Sequence, residues 1–214
     1  MPTVRGSSGV AMPLAVRGYA RSIVRVAAAG AVFTPALTLA AGGAVTSSTT
    51  EHDFVVDGTT PSAIVRYMDS HAVSGDHGHA YASIHPNYEL SLTTHQAGDM
   101  CVPSDVEVHV DFDLTLPVAA DMAGMSRRTR WAWNDFAAFA RAHEGHHKAS
   151  YLACAAAFIV QARRQSAAEC FALEENIRQM LYEMKQNCEA AQAPFDRAQR
   201  WPLVHQPLLE MAGR

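Results

Sequence analysis

His143-Glu144-Gly145-His146-His147 sets two imidazoles four residues apart, with a carboxylate directly after the first. On a helix, residues at this spacing share a face, with β-carbons roughly 5–6 Å apart. Both rings can then reach one ion at about 2.0–2.1 Å per nitrogen. Glu144 is rotated off that face and borders the ion without ligating it. The pattern is the His-Glu-x-x-His of zinc peptidases. In that chemistry Zn2+ lowers the pKa of a water towards about 7 and polarises a carbonyl. Glu144 would take the proton of that water and pass it to the leaving amine. The expected cofactor is therefore Zn2+, and the expected substrate a peptide or protein. A helix carrying solvated or otherwise satisfied histidines is the plainer alternative.

A catalytic zinc usually takes three protein ligands and a water. Two candidates for the third are Glu183 and His205. If the helix carrying the motif turns back near Gln165, the antiparallel partner of His147 falls near position 183, where Glu183 would face the pair. By the same count Glu174 and Glu175 sit too close to the turn. His205 can reach the pair if the C-terminal tail folds over it. His146 points away from His147 on the helical wheel and reads as a surface or supporting residue. His77 and His79 could form a separate weak site, but a wet loop accounts for them as well. His109 alternates onto the polar face of its strand.

The elements that must position these groups follow from periodicity. Thr60-Pro61 opens a helix with Thr60 as N-cap, and its apolar face is Ile64, Val65 and Met68. Tyr88, Leu90 and Leu92 alternate with polar neighbours, as does the run from Val106 to Leu116. Period two makes these strands with one buried face, and Gly98-Asp99 lies between them as the bend of a hairpin. Pro117 is expected to end the second strand. Ser126 caps a long helix whose inward positions are Phe136, Ala140, His143, His147, Tyr151, Cys154 and Phe158. Arg163 to Ser166 turns the chain into a second helix, about Ala167 to Ala193, with Phe171, Ile177, Leu181 and Met184 inward and Pro194 as its stop. The expected fold is α+β: a small antiparallel sheet packed with a long antiparallel two-helix hairpin that carries the motif.

The first 50 residues hold four arginines and no acid, and an apolar run from Val26 to Ala41 leads into Ala40-Ala41-Gly42-Gly43-Ala44. This order is that of an export signal, expected at residues 1–44, with Met12 as a possible true start. The run is short and broken for a membrane span, so no stable span is expected once the leader is removed, and the product is expected to be secreted or periplasmic. Residues 45–51 read as a Ser/Thr-rich linker and 52–214 as the domain. Without the leader, 13 Lys+Arg face 21 Asp+Glu, which disfavours nucleic acid as a partner. The chain has four cysteines: Cys101, Cys154, Cys170 and Cys188. They allow three full pairings in an exported domain.

From about His52 onward the chain resembles a bacterial family described as predicted secreted zinc-dependent proteases. The likeness rests on ordered features: the opening strand and Thr-Pro helix, the Cys101 loop, and the strand ending Thr115-Leu116-Pro117. The Trp133-to-Phe139 approach to the motif, Cys170, and Phe195-Asp196 follow. The resemblance implies an α+β domain with a zinc peptidase-like site and a Cys101–Cys170 pair. Many members follow the aromatic-Asp pair with Thr-x-His-Gly, where Gln199, Trp201 and Pro202 stand here. If that histidine is the family's third ligand, this chain must use His205, Glu183 or another residue.

Two functions follow from these features. One is an exported zinc metallopeptidase with Glu144 as general base. The other is a non-catalytic cell-envelope binding module of the same fold, with a structural or vestigial metal site. A three-ligand site open to water distinguishes the first from the second.

Overall fold

The computed structural model describes residues 44–75 and 78–213. The expected leader at 1–44 lies outside them except for Ala44, as does His77.

The chain runs β1 (Val45–Val56), α1 (Pro61–Ser70), β2 (Val73–Gly75), β3 (Gly78–Ala80), β4 (Ser83–Ala97), β5 (Met100–Ala119), α2 (Arg127–Ala162), α3 (Cys170–Val204) and α4 (Pro207–Met211). The architecture is α+β, as expected. The main sheet has the order β1-β5-β4. β4 and β5 form the anticipated antiparallel hairpin, bending at Gly98, whose φ of 64° suits a glycine. β1 adds in parallel to the other edge of β5, so the sheet is mixed.

β1 corrects the linker reading of 45–51. Those residues pair with β5 from Val45↔Val108 onward. Ser and Thr are polar enough to suggest a tether, but threonine is β-branched and suits a strand. The partners that hold the segment are remote in sequence: Arg141 grips Glu51 through two N–H···O bonds of 3.0 and 2.6 Å, and Lys148 donates to Thr49 at 2.6 Å. The Arg141 guanidinium holds the Glu51 carboxyl below its usual range.

Pro117 does not end β5, which continues to Ala119. β4 has already ended there, with Ser83 opposite Thr115, so β5 is paired only with β1 at this point. The missing N–H of proline therefore falls on an open side of the strand.

Val106, Val108, Val110, Phe112 and Leu114 on one face of β5 are buried against Tyr151, Phe158 and Ile159 of α2 and Leu173, Ile177 and Leu181 of α3. A second cluster joins Val56, Ile64 and Met68 to Trp133 and Phe136 at the start of α2 and Leu208 and Leu209 of α4. Thr60 and Ser126 cap α1 and α2 as read from the sequence, each accepting from a backbone N–H three residues on. Gly58, at φ 120°, turns the chain into α1.

α3 departs from expectation. It starts at Cys170 and runs through Pro194 and Pro202 to Val204. An interior proline deletes one helical hydrogen bond, yet the contacts of Gln192, Phe195 and Asp196 with α2 hold the helix on both sides of Pro194. Phe171, expected inward, is 76% exposed. Two disulfides staple the layers. Cys101–Cys170 joins β5 to α3, as the family resemblance implied, and Cys154–Cys188 joins α2 to α3. Beside the first, Cys101 and Ala167 exchange backbone hydrogen bonds of 2.7 and 3.1 Å. Among the described residues no helix is long and apolar enough to cross a membrane.

Candidate metal centre

The motif sits in the middle of α2. His147 and Glu144 are buried and His143 is half-buried. The Nε2 atoms of His143 and His147 lie 2.9 Å apart. Asp196 Oδ1 of α3 completes a triangle with them, 2.9 Å from His147 Nε2 and 3.3 Å from His143 Nε2. Three ligand atoms at about 2.0–2.1 Å from one ion stand roughly 3.3 Å apart at tetrahedral angles. The triangle has nearly that size.

The protonation pattern fits a cation as well. Gln192 is buried, and its Nε2 donates to Cys188 O at 2.7 Å and Ser150 Oγ at 3.1 Å. Its Oε1 therefore faces His147 Nδ1 at 3.0 Å as an acceptor. Nδ1 then carries a proton, and in the neutral form of the ring it is the Nε2 lone pair that faces His143 and Asp196. Two ring nitrogens and a carboxylate oxygen then converge, an electron-rich group that a cation relieves. Burial, and next the neighbouring His147, push the His143 imidazole below its ordinary pKa, which favours the neutral, ligating form.

Phe195 supports the rings from α3. It stacks on His146 at 3.7 Å and on His143 at 4.9 Å, and meets His147 edge-on at 5.2 Å. His146 is exposed and is thus a ring support for Phe195, outside the cluster. Nδ1 of His143 is buried with no hydrogen-bond partner among the described residues, so ring packing takes over the orienting role that Gln192 has for His147.

The two third-ligand candidates stand elsewhere. Glu183 is exposed and accepts from Gln179 at 2.9 Å on its own helix. His205 is exposed too, donating to Trp201 O at 2.8 Å with its ring on the Trp201 indole. The facing register explains this. Tyr151 donates to Glu189 and Cys154 bonds Cys188, so the hairpin is centred near Cys170, not Gln165. The residue opposite the motif is then about ten positions beyond 183. Among the described residues, His143, His147 and Asp196 are the group able to hold a metal ion.

A family model matches residues 52–205, a span that contains this whole cluster. Its description reads "Bacterial protein of unknown function (DUF922)". The chain belongs to this family. The DUF922 match begins where the resemblance read from the sequence begins, and the family description assigns no activity. No curated protein matches the chain. No solved structure matches it.

Proposed function

We propose that this DUF922 protein is an exported zinc-dependent peptidase with His143, His147 and Asp196 as metal ligands. The convergence of those three ligand atoms on the His-Glu-x-x-His helix carries the reading. Two nitrogens and one carboxylate oxygen suit zinc, and three protein ligands are the number of a catalytic site. When bound, zinc would acidify a water and polarise the substrate carbonyl. Glu144, buried beside His143, is the base: its carboxylate takes a proton from the attacking water and returns it to the departing amine. Gln192 keeps His147 in the ligating tautomer, and Phe195 holds the ring planes. Two disulfides favour an oxidising compartment, in keeping with the arginine-then-apolar leader.

Metal analysis of the purified chain, with hydrolysis of an unfolded protein by wild type and Glu144→Gln, tests this. About one zinc per chain is expected, with hydrolysis reduced roughly 10²–10⁴-fold and zinc retained in the variant. An unchanged rate in Glu144→Gln removes the mechanism. Zinc binding with no hydrolysis by wild type favours the non-catalytic module. No zinc at all reduces the cluster to an Asp196–His147 ion pair.

A further inference from the structure

The Tyr88 hydroxyl, on β4, is buried with no hydrogen-bond partner among the described residues. Buried hydroxyls are ordinarily bonded, and one left unpaired lowers the stability of the fold. This one is kept as a donor. Burial, and next the charge of Glu189, hold the phenol far above its usual range, so it stays protonated.

Tyr88 lines a cavity of about 420 Å³ between β4, α2 and α3, together with Pro86, Tyr151, Lys185 and Glu189. That size lies within the range of small-ligand pockets, about 300–1,000 Å³. Other polar groups of the wall are engaged within the chain. Tyr151 and Glu189 bond each other at 2.9 Å. Lys185 is exposed, and its Nζ rests 5.5 Å from the Tyr88 ring centroid. Lys185 and Glu189 stand four residues apart on α3 with opposite charge. Their charges offset, and the wall therefore favours a neutral ligand over an ion.

The cavity is also close to the metal-ligand cluster. Tyr151 follows His147 by one turn of α2, and Glu189 precedes Asp196 by about two turns of α3. At 1.5 Å per residue the separation along the helices is roughly 6–10 Å. An extended peptide covers that in about two or three residues. Such a chain offers a neutral carbonyl oxygen at every residue, the acceptor that the phenol lacks.

We infer that this cavity receives the backbone of an extended peptide, with the Tyr88 hydroxyl donating to one of its carbonyl oxygens. The exposed Lys185 side chain turns aside from the ring as the peptide enters. As a substrate subsite the cavity rests on the peptidase reading; peptide binding through Tyr88 does not.

Tyr88→Phe tests the inference, because it removes the hydroxyl and keeps the ring. The probe is a dye-labelled decapeptide of alanine, serine and leucine, blocked at both ends. Its binding is read by fluorescence anisotropy on the full chain carrying Glu144→Gln, so that no hydrolysis consumes it. Adding Tyr88→Phe should weaken binding roughly three- to tenfold. The same substitution should leave the thermal midpoint of the peptide-free chain equal or higher, since the hydroxyl bonds nothing there. A residue with a merely structural role would lower that midpoint. The same peptide with a free C-terminal carboxylate should bind no more tightly than the blocked one. Equal binding with and without the hydroxyl overturns the inference. So does a lower midpoint in Tyr88→Phe, several-fold preference for the free carboxylate, or no binding to the chain that keeps Tyr88. Absence of hydrolysis by wild type removes the peptidase reading and leaves the Tyr88 result standing, so the two failures are told apart.

Discussion

The Oε1 atom of Gln192 lies 3.0 Å from Nδ1 of His147, and the donations of Gln192 to Cys188 O and Ser150 Oγ fix that direction. An outer partner of this kind sets ring orientation and ligand basicity, and its loss typically costs 10–100-fold in metal affinity. Gln192→Leu should therefore weaken zinc binding by about that factor while leaving all three ligands in place. Gln192→Glu, which still accepts from Nδ1, should lose less. Competition with a coloured chelator reads both. Equal affinity for wild type and Gln192→Leu would show that the ring is held by Phe195 alone.

The Cys154–Cys188 bridge closes a separation of 34 residues between the two helices that carry the ligands. Its second half-cystine also supplies the carbonyl that anchors Gln192. Replacing both cysteines by alanine should cost roughly 2–4 kcal/mol by release of the unfolded chain. Denaturant unfolding under non-reducing conditions measures it. A midpoint equal to wild type would mean that core packing, not the bridge, sets the helix pair.

Much of this arrangement is legible from local pattern. The caps at Thr60 and Ser126, the β4–β5 hairpin and the inward face of α2 follow from rules that span a few residues. Asp196, the third member of the candidate cluster, does not follow from local pattern, for two physical reasons. Pro194 reads locally as a helix stop, whereas tertiary contacts from Gln192, Phe195 and Asp196 carry α3 past it. And because opposing positions in a helix hairpin move two residues for each residue of turn displacement, placing the turn near Gln165 put the partner of His147 about ten positions short. Phe195-Asp196 is an ordered pair near the end of the chain; the break read at Pro194 and the turn read at Gln165 together keep it from the motif. Residues 45–51 of β1 read as a linker for a similar reason, since Arg141 and Lys148, which hold them, come from α2.

Gly58 offers a test of the turn that launches α1. Its φ is 120°, and a β-carbon there would stand 2.8 Å from the backbone nitrogen of Ile64, itself fully buried. Both the positive φ and the contact oppose any side chain. Gly58→Ala should thus destabilise the domain by more than about 1 kcal/mol, seen as a lower thermal midpoint. An unchanged midpoint would show that the turn relaxes without cost.

Asp196, Glu183 and His205 separate the observed cluster from the two sequence-based candidates. Asp196 Oδ1 is within 3.3 Å of both ring nitrogens, whereas Glu183 pairs with Gln179 and His205 with Trp201 O. Asp196→Ala should lower zinc affinity by more than the 10–100-fold that an outer partner costs, because it removes a ligand and the one negative charge in the triangle. Glu183→Ala and His205→Ala should leave affinity within about twofold, since neither reaches the cluster. The ion also stabilises whatever binds it: at a free concentration 1,000 times the dissociation constant the gain is about 4 kcal/mol. Chelation should therefore lower the thermal midpoint of wild type and of Glu183→Ala alike, and shift that of Asp196→Ala far less. A chelator-sensitive midpoint in Asp196→Ala together with an insensitive one in His205→Ala would move the third ligand back to the tail, and would mean that α3 bends at Pro194 when the ion is bound.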